Sequence, residues 1–208
     1  KYPQGAEKQL IYSITRRKVE TGKLPMDCGV VVNNVHTAYS VARAIKGEPS
    51  FMRAMTVSGE GVEKAGNFWV RTGIPYQFIY DECRGNVDTS VTKKVISGGP
   101  MMGIAQSNLK PTVTKGTSSL LFLSEKSAGV VASTQCINCG RCCASCPMFL
   151  LPNNIEDSVL ARNYEKAVRL NVASCIECGV CAFNCPAKRP ILQSIRLAKK
   201  VIKKRGLK

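Results

Sequence analysis

Two tight cysteine arrays constrain this chain more than any other feature. The stretch CINCGRCCASCP begins at Cys136 and packs five cysteines into eleven residues, and CIECGVCAFNCP from Cys175 repeats its spacing. Both follow C-x2-C-x2-C-x3-C-P, a pattern by which thiolates hold iron–sulfur cubanes. Three cysteines spaced by two can wrap three corners of one cube from a single loop. The fourth, followed by proline, is directed away from that loop and serves the other cluster in two-cluster ferredoxins. On this rule Cys136, Cys139, Cys142 and Cys185 hold one [4Fe-4S] cluster, and Cys175, Cys178, Cys181 and Cys146 hold the other. Structural zinc also uses C-x2-C pairs, but a doubled array ending in proline fits zinc ribbons poorly.

The fifth thiol of the first array, Cys143, is out of register, because Cys142 alone keeps two residues before it and three after. Gly140 and Gly179 follow the second cysteine of each array, where a missing side chain lets backbone amides approach the sulfides. Cys28 and Cys83 stand apart and read as small buried hydrophobes. Eight of eleven cysteines in two arrays are not the dispersed framework of a disulfide-stapled secreted domain, so a reducing compartment is expected.

The formal charge of +16 falls by about 4 once eight thiolates and two doubly positive cores are counted, and the chain remains basic. Excess charge suits nucleic acid, anionic lipid or an acidic protein. A nucleic-acid role is disfavoured, since no aromatic-studded basic groove or recognition-helix motif is present. No window approaches the roughly 18 to 20 apolar residues of a membrane-spanning helix. No paired carboxylates, nucleophile triad or phosphate loop appears, and the lone histidine, His36, reads as a polar turn residue.

The chain starts at KYPQGAEKQLIY, without Met or a signal peptide, and reads as the interior of a longer protein. GAEKQLIYSITRR suits a helix, GVVVNNV a short buried strand, and HTAYSVARAIKG a second helix stopped by glycine. This alternation, over residues 1–48, looks like the tail of an α/β domain. Short strand candidates follow over 49–125: FMRAMTVSG, NFWVRTG, QFIYDEC, KKVISGG and SSLLFL. The SGGPMMG segment between them is a turn with an apolar tip, either packing its methionines or approaching a cofactor or partner. Residues 126–208 read as helical between the cysteines. NNIEDSVLARNYEKAVRLNV is expected to form a helix capped by Asn154, with Ile155, Val159, Leu160, Tyr164, Ala167, Val168 and Val172 on one face. The terminal RLAKKVIKKRGLK sits on a helix pattern with Ile191, Ile195, Ala198 and Ile202 along one face and Lys199, Lys200, Lys203, Lys204, Arg205 and Lys208 crowding the rest. That basic side is either solvated or docks anionic lipid or membrane subunits.

KYPQGAEKQLIY, LPMDCGVVVNNVHTAYSVARAI, VISGGPMMG and the paired arrays, in this order, resemble the C subunit of the Rnf complex, along essentially the whole chain. The family is similar in turn to the flavoprotein subunit of respiratory complex I. The resemblance implies an α+β multidomain fold: the tail of a Rossmann-like flavin domain, a β-grasp (SLBB-like) module, and an α-helical ferredoxin domain with two [4Fe-4S] clusters. It implies FMN and NAD(H) as further cofactors. Gly5 and Glu7 match the flavin-side GEE segment, and Asn33, Asn34 and Thr37 match the NNVET segment near the FMN phosphate. Ala6 and His36 depart from it, each standing where the relative has glutamate, which puts nicotinamide-side contacts in question.

The implied function is an electron-transfer subunit of a membrane-associated, ion-translocating ferredoxin:NAD oxidoreductase, passing electrons between FMN or NAD(H) and partner subunits. Its implied partners are the membrane and iron–sulfur Rnf subunits and, indirectly, ferredoxin. Its implied place is the cytoplasmic face of the cell membrane, peripherally bound. The rival reading is a soluble flavin and iron–sulfur reductase of the same modules, such as a microcompartment cobalamin reductase.

Overall fold

The computed structural model describes residues 2–4, 6–128 and 131–207. In chain order these form α1 (Glu7–Thr15), α2 (Val35–Ile45), β1 (Met52–Ser58), β2 (Gly66–Arg71) and α3 (Tyr76–Arg84). Then come β3 (Lys94–Ser97), β4 (Ile104–Gln106), β5 (Ser119–Leu123), α4 (Glu125–Ala128) and α5 (Arg141–Ala144). The chain ends in α6 (Pro152–Leu160), α7 (Tyr164–Arg169), α8 (Val180–Phe183) and α9 (Ile191–Arg205). Two compact units result: residues 33–130, and residues 1–32 together with 131–208.

The unit of residues 33–130 is an α+β arrangement around a five-stranded sheet in the order β2-β1-β5-β3-β4. β1 pairs antiparallel with β2 and parallel with β5, while β3 pairs antiparallel with both β5 and β4. Alternation sets the buried face: Met55 and Val57 from β1, and Leu120 and Phe122 from β5, point into the core. Helix α3 contributes Tyr76, Ile79, Tyr80 and Cys83 to the same core, and the Tyr80 ring stacks on Phe122 at 4.8 Å. The chain leaves β1 through Gly59, at φ +113°, where an added Cβ would lie 2.1 Å from the Phe122 carbonyl oxygen. Only glycine fits so close an approach. Helix α2 buries none of its residues.

The second unit is helical. Its core joins Ile155 and Val159 of α6, Tyr164 and Ala167 of α7, and Ile191, Ile195 and Ala198 of α9 with Cys142, Cys181 and Cys185. A buried glutamate on α6, Glu156, is tied to Arg189, just before α9. Helix α1 belongs to this unit. Its Gln9 side-chain amide donates to the Pro147 carbonyl at 3.2 Å, next to the last cysteine of the first array.

Several local expectations change. The QFIYDEC segment is a helix rather than a strand, because Tyr76, Ile79, Tyr80 and Cys83 recur at helical spacing and all four are buried. GVVVNNV forms no strand: residues 30–34 have no ladder partner among the described residues, and Val31 is 79% exposed. The long helix expected after the first array divides into α6 and α7 at Arg162, which takes the left-handed conformation, φ 55°. Pro152, not Asn154, opens α6, and Asn163 caps α7 by accepting from the Lys166 amide at 2.9 Å. Finally, the apolar face of α9 is spent on its own core, leaving Lys200, Lys203, Lys204 and Arg205 outward beside the exposed Gln193 and Leu197. No described helix is long and apolar enough to cross a membrane.

Candidate metal centre

The two arrays take one backbone shape. In each Cys-Ile-X-Cys segment the third residue is left-handed, Asn138 at φ 53° and Glu177 at φ 56°. Gly140 and Gly179 follow at φ 69° and 77°, each opening a four-residue helix, α5 or α8, that carries the third cysteine inward. Beyond the fourth cysteine Phe149 and Lys188 repeat the turn, at φ 53° and 52°. These reversals aim the first three thiols of each array to one side of the loop.

Eight cysteines are divided between two cavities. The first is lined by Cys136, Cys139, Cys142 and Cys185, with Asn153, Glu156 and Arg189. The second is lined by Cys175, Cys178, Cys181 and Cys146, with Met148, Leu150, Leu192 and Ile195 among its apolar walls. The fourth cysteine of each array thus sits in the cavity built on the other. Cys143 is not on either wall; its Sγ lies 3.9 Å from that of Cys142 and 3.2 Å from Asn153 Oδ1. Cys28 donates to the Lys18 carbonyl, and Cys83 is buried under the sheet. No group of three or more His, Cys, Asp or Glu among the described residues is placed around a single ion.

Burial governs the thiols. It pushes Cys181 up to about 12, with further rises from Cys175 and Cys178. Burial, then the neighbouring Cys143, push Cys142 up to about 11. Burial also raises Cys175, against a hydrogen bond to its sulfur from the Glu177 amide at 3.3 Å. Neutral thiols are therefore favoured without metal, and loading a thiolate-ligated centre must release protons. Four soft sulfur donors around an apolar cavity suit iron–sulfur chemistry.

The arrays differ in what holds them. Lys199 donates to the Cys175 carbonyl at 2.6 Å and to Glu177 at 2.9 Å, and Arg196 donates to Glu177 at 3.1 Å. The Tyr2 hydroxyl donates to the Cys178 carbonyl at 2.7 Å. The first loop instead leaves Ile137, Asn138, Cys139 and Gly140 exposed. Its cavity holds an ion pair: Arg189 Nε donates to Glu156 Oε2 at 2.7 Å, and Glu156 is 1% exposed. Sequence spacing does not single out Tyr2, Glu156, Arg189, Arg196 or Lys199. One signal existed, an acid at the buried helical position of α6 beside Ile155 and Val159.

Of the residues matched to a flavin segment, Gly5 lies outside the described residues. Glu7 opens α1 and is exposed. In the other unit, Asn34 caps α2 by accepting from the His36 amide at 2.9 Å, and Asn33 and Thr37 lie beside it. His36 is a helical residue, not a turn residue, with Tyr39 and Trp69 rings at 6.0 and 5.9 Å. Burial, then the charge of Arg53, lower its pKa and favour the neutral imidazole.

Comparison with known proteins bears on both regions. Residues 1–43 match the Nuo51 FMN-binding domain model, and residues 129–194 match the 4Fe-4S dicluster domain model. The C subunit of the Na(+)-translocating ferredoxin:NAD(+) oxidoreductase complex of Acetobacterium woodii is 47% identical over 97% of the chain and 45% of its own length. The C subunit of the proton-translocating ferredoxin:NAD(+) oxidoreductase complex of Clostridium ljungdahlii is 46% identical over 96% of the chain and 44% of its own length. The C subunit of the ion-translocating oxidoreductase complex of Rhodobacter capsulatus is 40% identical over 95% of the chain and 38% of its own length. The chain spans less than half the length of these relatives.

Proposed function

Because the chain belongs to the C-subunit family of Rnf-type, ion-translocating ferredoxin:NAD(+) oxidoreductase complexes, we propose that it is the electron-carrying part of such a subunit. Its ligands are Cys136, Cys139, Cys142 and Cys185 for one [4Fe-4S] cluster, and Cys175, Cys178, Cys181 and Cys146 for the other. The observation that carries this reading is the division of the eight thiols between two cavities, three from one array and the fourth from the other. Four thiolates per cavity meet the four iron corners of a cubane. Crossing the fourth cysteine also ties α6 and α9 to both centres, so the clusters brace the helical unit they occupy.

In the complete protein, FMN when bound supplies the conversion between the hydride of NADH and the single electrons that clusters carry. Asn33, Asn34 and Thr37 suit its phosphate: they cluster at the start of α2, an eleven-residue helix whose first amides and dipole favour an anion. Gly5 and Glu7 are proposed as the flavin-side contacts. The modules are residues 1–48 of the FMN and NADH domain, a β-grasp, SLBB-like module over 49–125, and the ferredoxin domain over 126–208. Strand order β2-β1-β5-β3-β4 with α3 across one face supports the β-grasp assignment. The partners are the membrane and iron–sulfur subunits, ferredoxin through them, and NAD(H), with the protein peripheral on the cytoplasmic face of the membrane. Ion movement belongs to other subunits.

The test is iron and acid-labile sulfide content with EPR of the reduced state, on anaerobically purified protein and its Cys146→Ser and Cys185→Ser variants. About eight irons per chain are expected. Cys185→Ser should disturb the cluster built on the first array, and Cys146→Ser the cluster built on the second. Zinc in place of iron, about four irons per chain, or variants that each disturb only the cluster of their own array would overturn the assignment.

A further inference from the structure

We propose that Glu156 and Arg189 tune the reduction potential of the cluster in the first cavity, the two charges acting on it with opposite signs. The proposal rests on the cluster ligation above. Among the described residues no ionisable side chain other than cysteine lines the second cavity, whose walls are apolar side chains such as Met148, Leu150, Leu192 and Ile195; Lys199, Arg196 and Glu177 hold its loop from behind. The first cavity carries a full carboxylate and a full guanidinium on its wall.

These charges are screened little. Glu156 is 1% exposed, and the Arg189 side chain is 14% exposed. Glu156 Oε2 accepts from Arg189 Nε at 2.7 Å, while Oε1 is buried with no hydrogen-bond partner among the described residues. Asp157, on the exposed side, lies 3.7 Å from the other end of the guanidinium. Reduction adds an electron to a cluster that is already anionic with its thiolates. A nearby cation stabilises the reduced form and a nearby anion opposes it, and in a low-dielectric cavity both effects persist over several ångströms. In the intact pair they oppose each other. Removing one partner leaves the other uncompensated beside the cluster.

A purely structural ion pair would hold α6 to the segment before α9 and nothing more. It predicts that breaking the pair from either side does the same thing. A potential-setting pair predicts opposite signs. Glu156→Gln should raise the midpoint potential of the first cluster, Arg189→Gln should lower it, and Arg189→Lys, which keeps the charge, should stay near the wild type. The second cluster should not move in any of them.

The experiment is an EPR-monitored redox titration of the full-length protein, purified anaerobically, with iron counted in each sample. The first cluster's signal is identified as the one disturbed by Cys185→Ser. Opposite shifts confined to that signal support the proposal. Shifts of the same sign, equal shifts in both clusters, or no shift overturn it. If Glu156→Gln or Arg189→Gln loses iron, Asp157→Asn carries the test, since Asp157 is exposed. Titrated at low ionic strength, where an exposed charge is least screened, it should raise the first cluster's potential by less than Glu156→Gln would, and a lowered potential there, or a shift in the second cluster, overturns the proposal. A wild-type protein without two cubanes fails the ligation reading instead, which iron content alone reveals.

Discussion

The first and second cysteine arrays share a backbone and differ in nearly everything that surrounds it. Left-handed turns at Asn138 and Glu177, glycines at 140 and 179, and four-residue helices carrying Cys142 and Cys181 recur in the same order. The second loop is fastened by Tyr2, Arg196 and Lys199 and opens on an apolar cavity. The first exposes Ile137 to Gly140 and opens on a cavity with a buried ion pair. The lesson is a division of labour: cysteine spacing goes with the shape of each loop, and residues distant in sequence decide what surrounds it.

If the second cavity is held by packing, its largest sensitivity is to a lost wall. Ile195 is 1% exposed and lines that cavity from α9. Ile195→Ala should cost about 2–5 kcal/mol of stability, measured by denaturant unfolding under anaerobic conditions. Iron loss should begin with the second cluster. Loss beginning with the first would break the contrast between a packed and an open site.

The shared backbone is tested next. Gly140 has open space around its Cβ direction but sits at φ +69°, so Gly140→Ala meets no clash and costs only what the left-handed conformation imposes. About 1–2 kcal/mol is expected, with both clusters retained. Gly179→Ala, at a similar φ of 77° but buried on the wall of the second cavity, should cost more. Equal costs at the two sites would show that backbone conformation alone decides, and would break the contrast between the two surroundings.

Fastening of the second loop has a pH signature. Burial raises the Glu177 pKa, but hydrogen bonds and charge from Lys199, then Arg196, outweigh it and hold the carboxyl below its ordinary value. A carboxyl lowered on folding stabilises the native state above its unfolded pKa, about 4.3, and that contribution disappears as pH falls through the folded value. Glu177→Gln should therefore lose up to about 1 kcal/mol at neutral pH, because the group is partly exposed, and less as pH falls through the folded carboxyl's value. A uniform loss across that range would mean that shape rather than charge ties the loop. The first loop, with neutral Asn138 at the equivalent place, should show no such dependence when Asn138 is changed to Gln.

What the sequence revealed follows the range of the interactions. Cysteine spacing is a local code, so the division of eight thiols three and one between two cavities was legible, although the left-handed turns at Asn138 and Glu177 were not; β1, β2, β3 and β5 were legible from their alternating residues. The α3 segment misled because Phe78, Ile79 and Tyr80 are strong strand formers side by side, although the helical recurrence of Tyr76, Ile79, Tyr80 and Cys83 was present. The break at Arg162 had only Asn163 as a sign. Glu156 and Arg189 meet across 33 residues, and no short window of sequence contains their pairing. The charged wall of the first cavity is thus a tertiary feature, while the cysteine pattern is a local one.

The smallest expected effect tests the register on which the whole comparison stands. Cys143 is half-buried, outside both cavity walls, and occupies the place where the second array has Ala182. Cys143→Ala makes the first loop resemble the second more closely. Iron should remain at about eight per chain, with stability changed by no more than about 1 kcal/mol, because the loss is one sulfur's packing and a contact with Asn153. Cys142→Ala, one residue earlier, should instead disrupt the first cluster. If Cys143→Ala loses that cluster and Cys142→Ala keeps it, the third ligand has moved by one residue. The helix α5 would then have to turn about 100° from the orientation in which Cys142 lines the cavity. Equivalence of the two loops would fail with it, since Cys181 in α8 has no such neighbour to replace it.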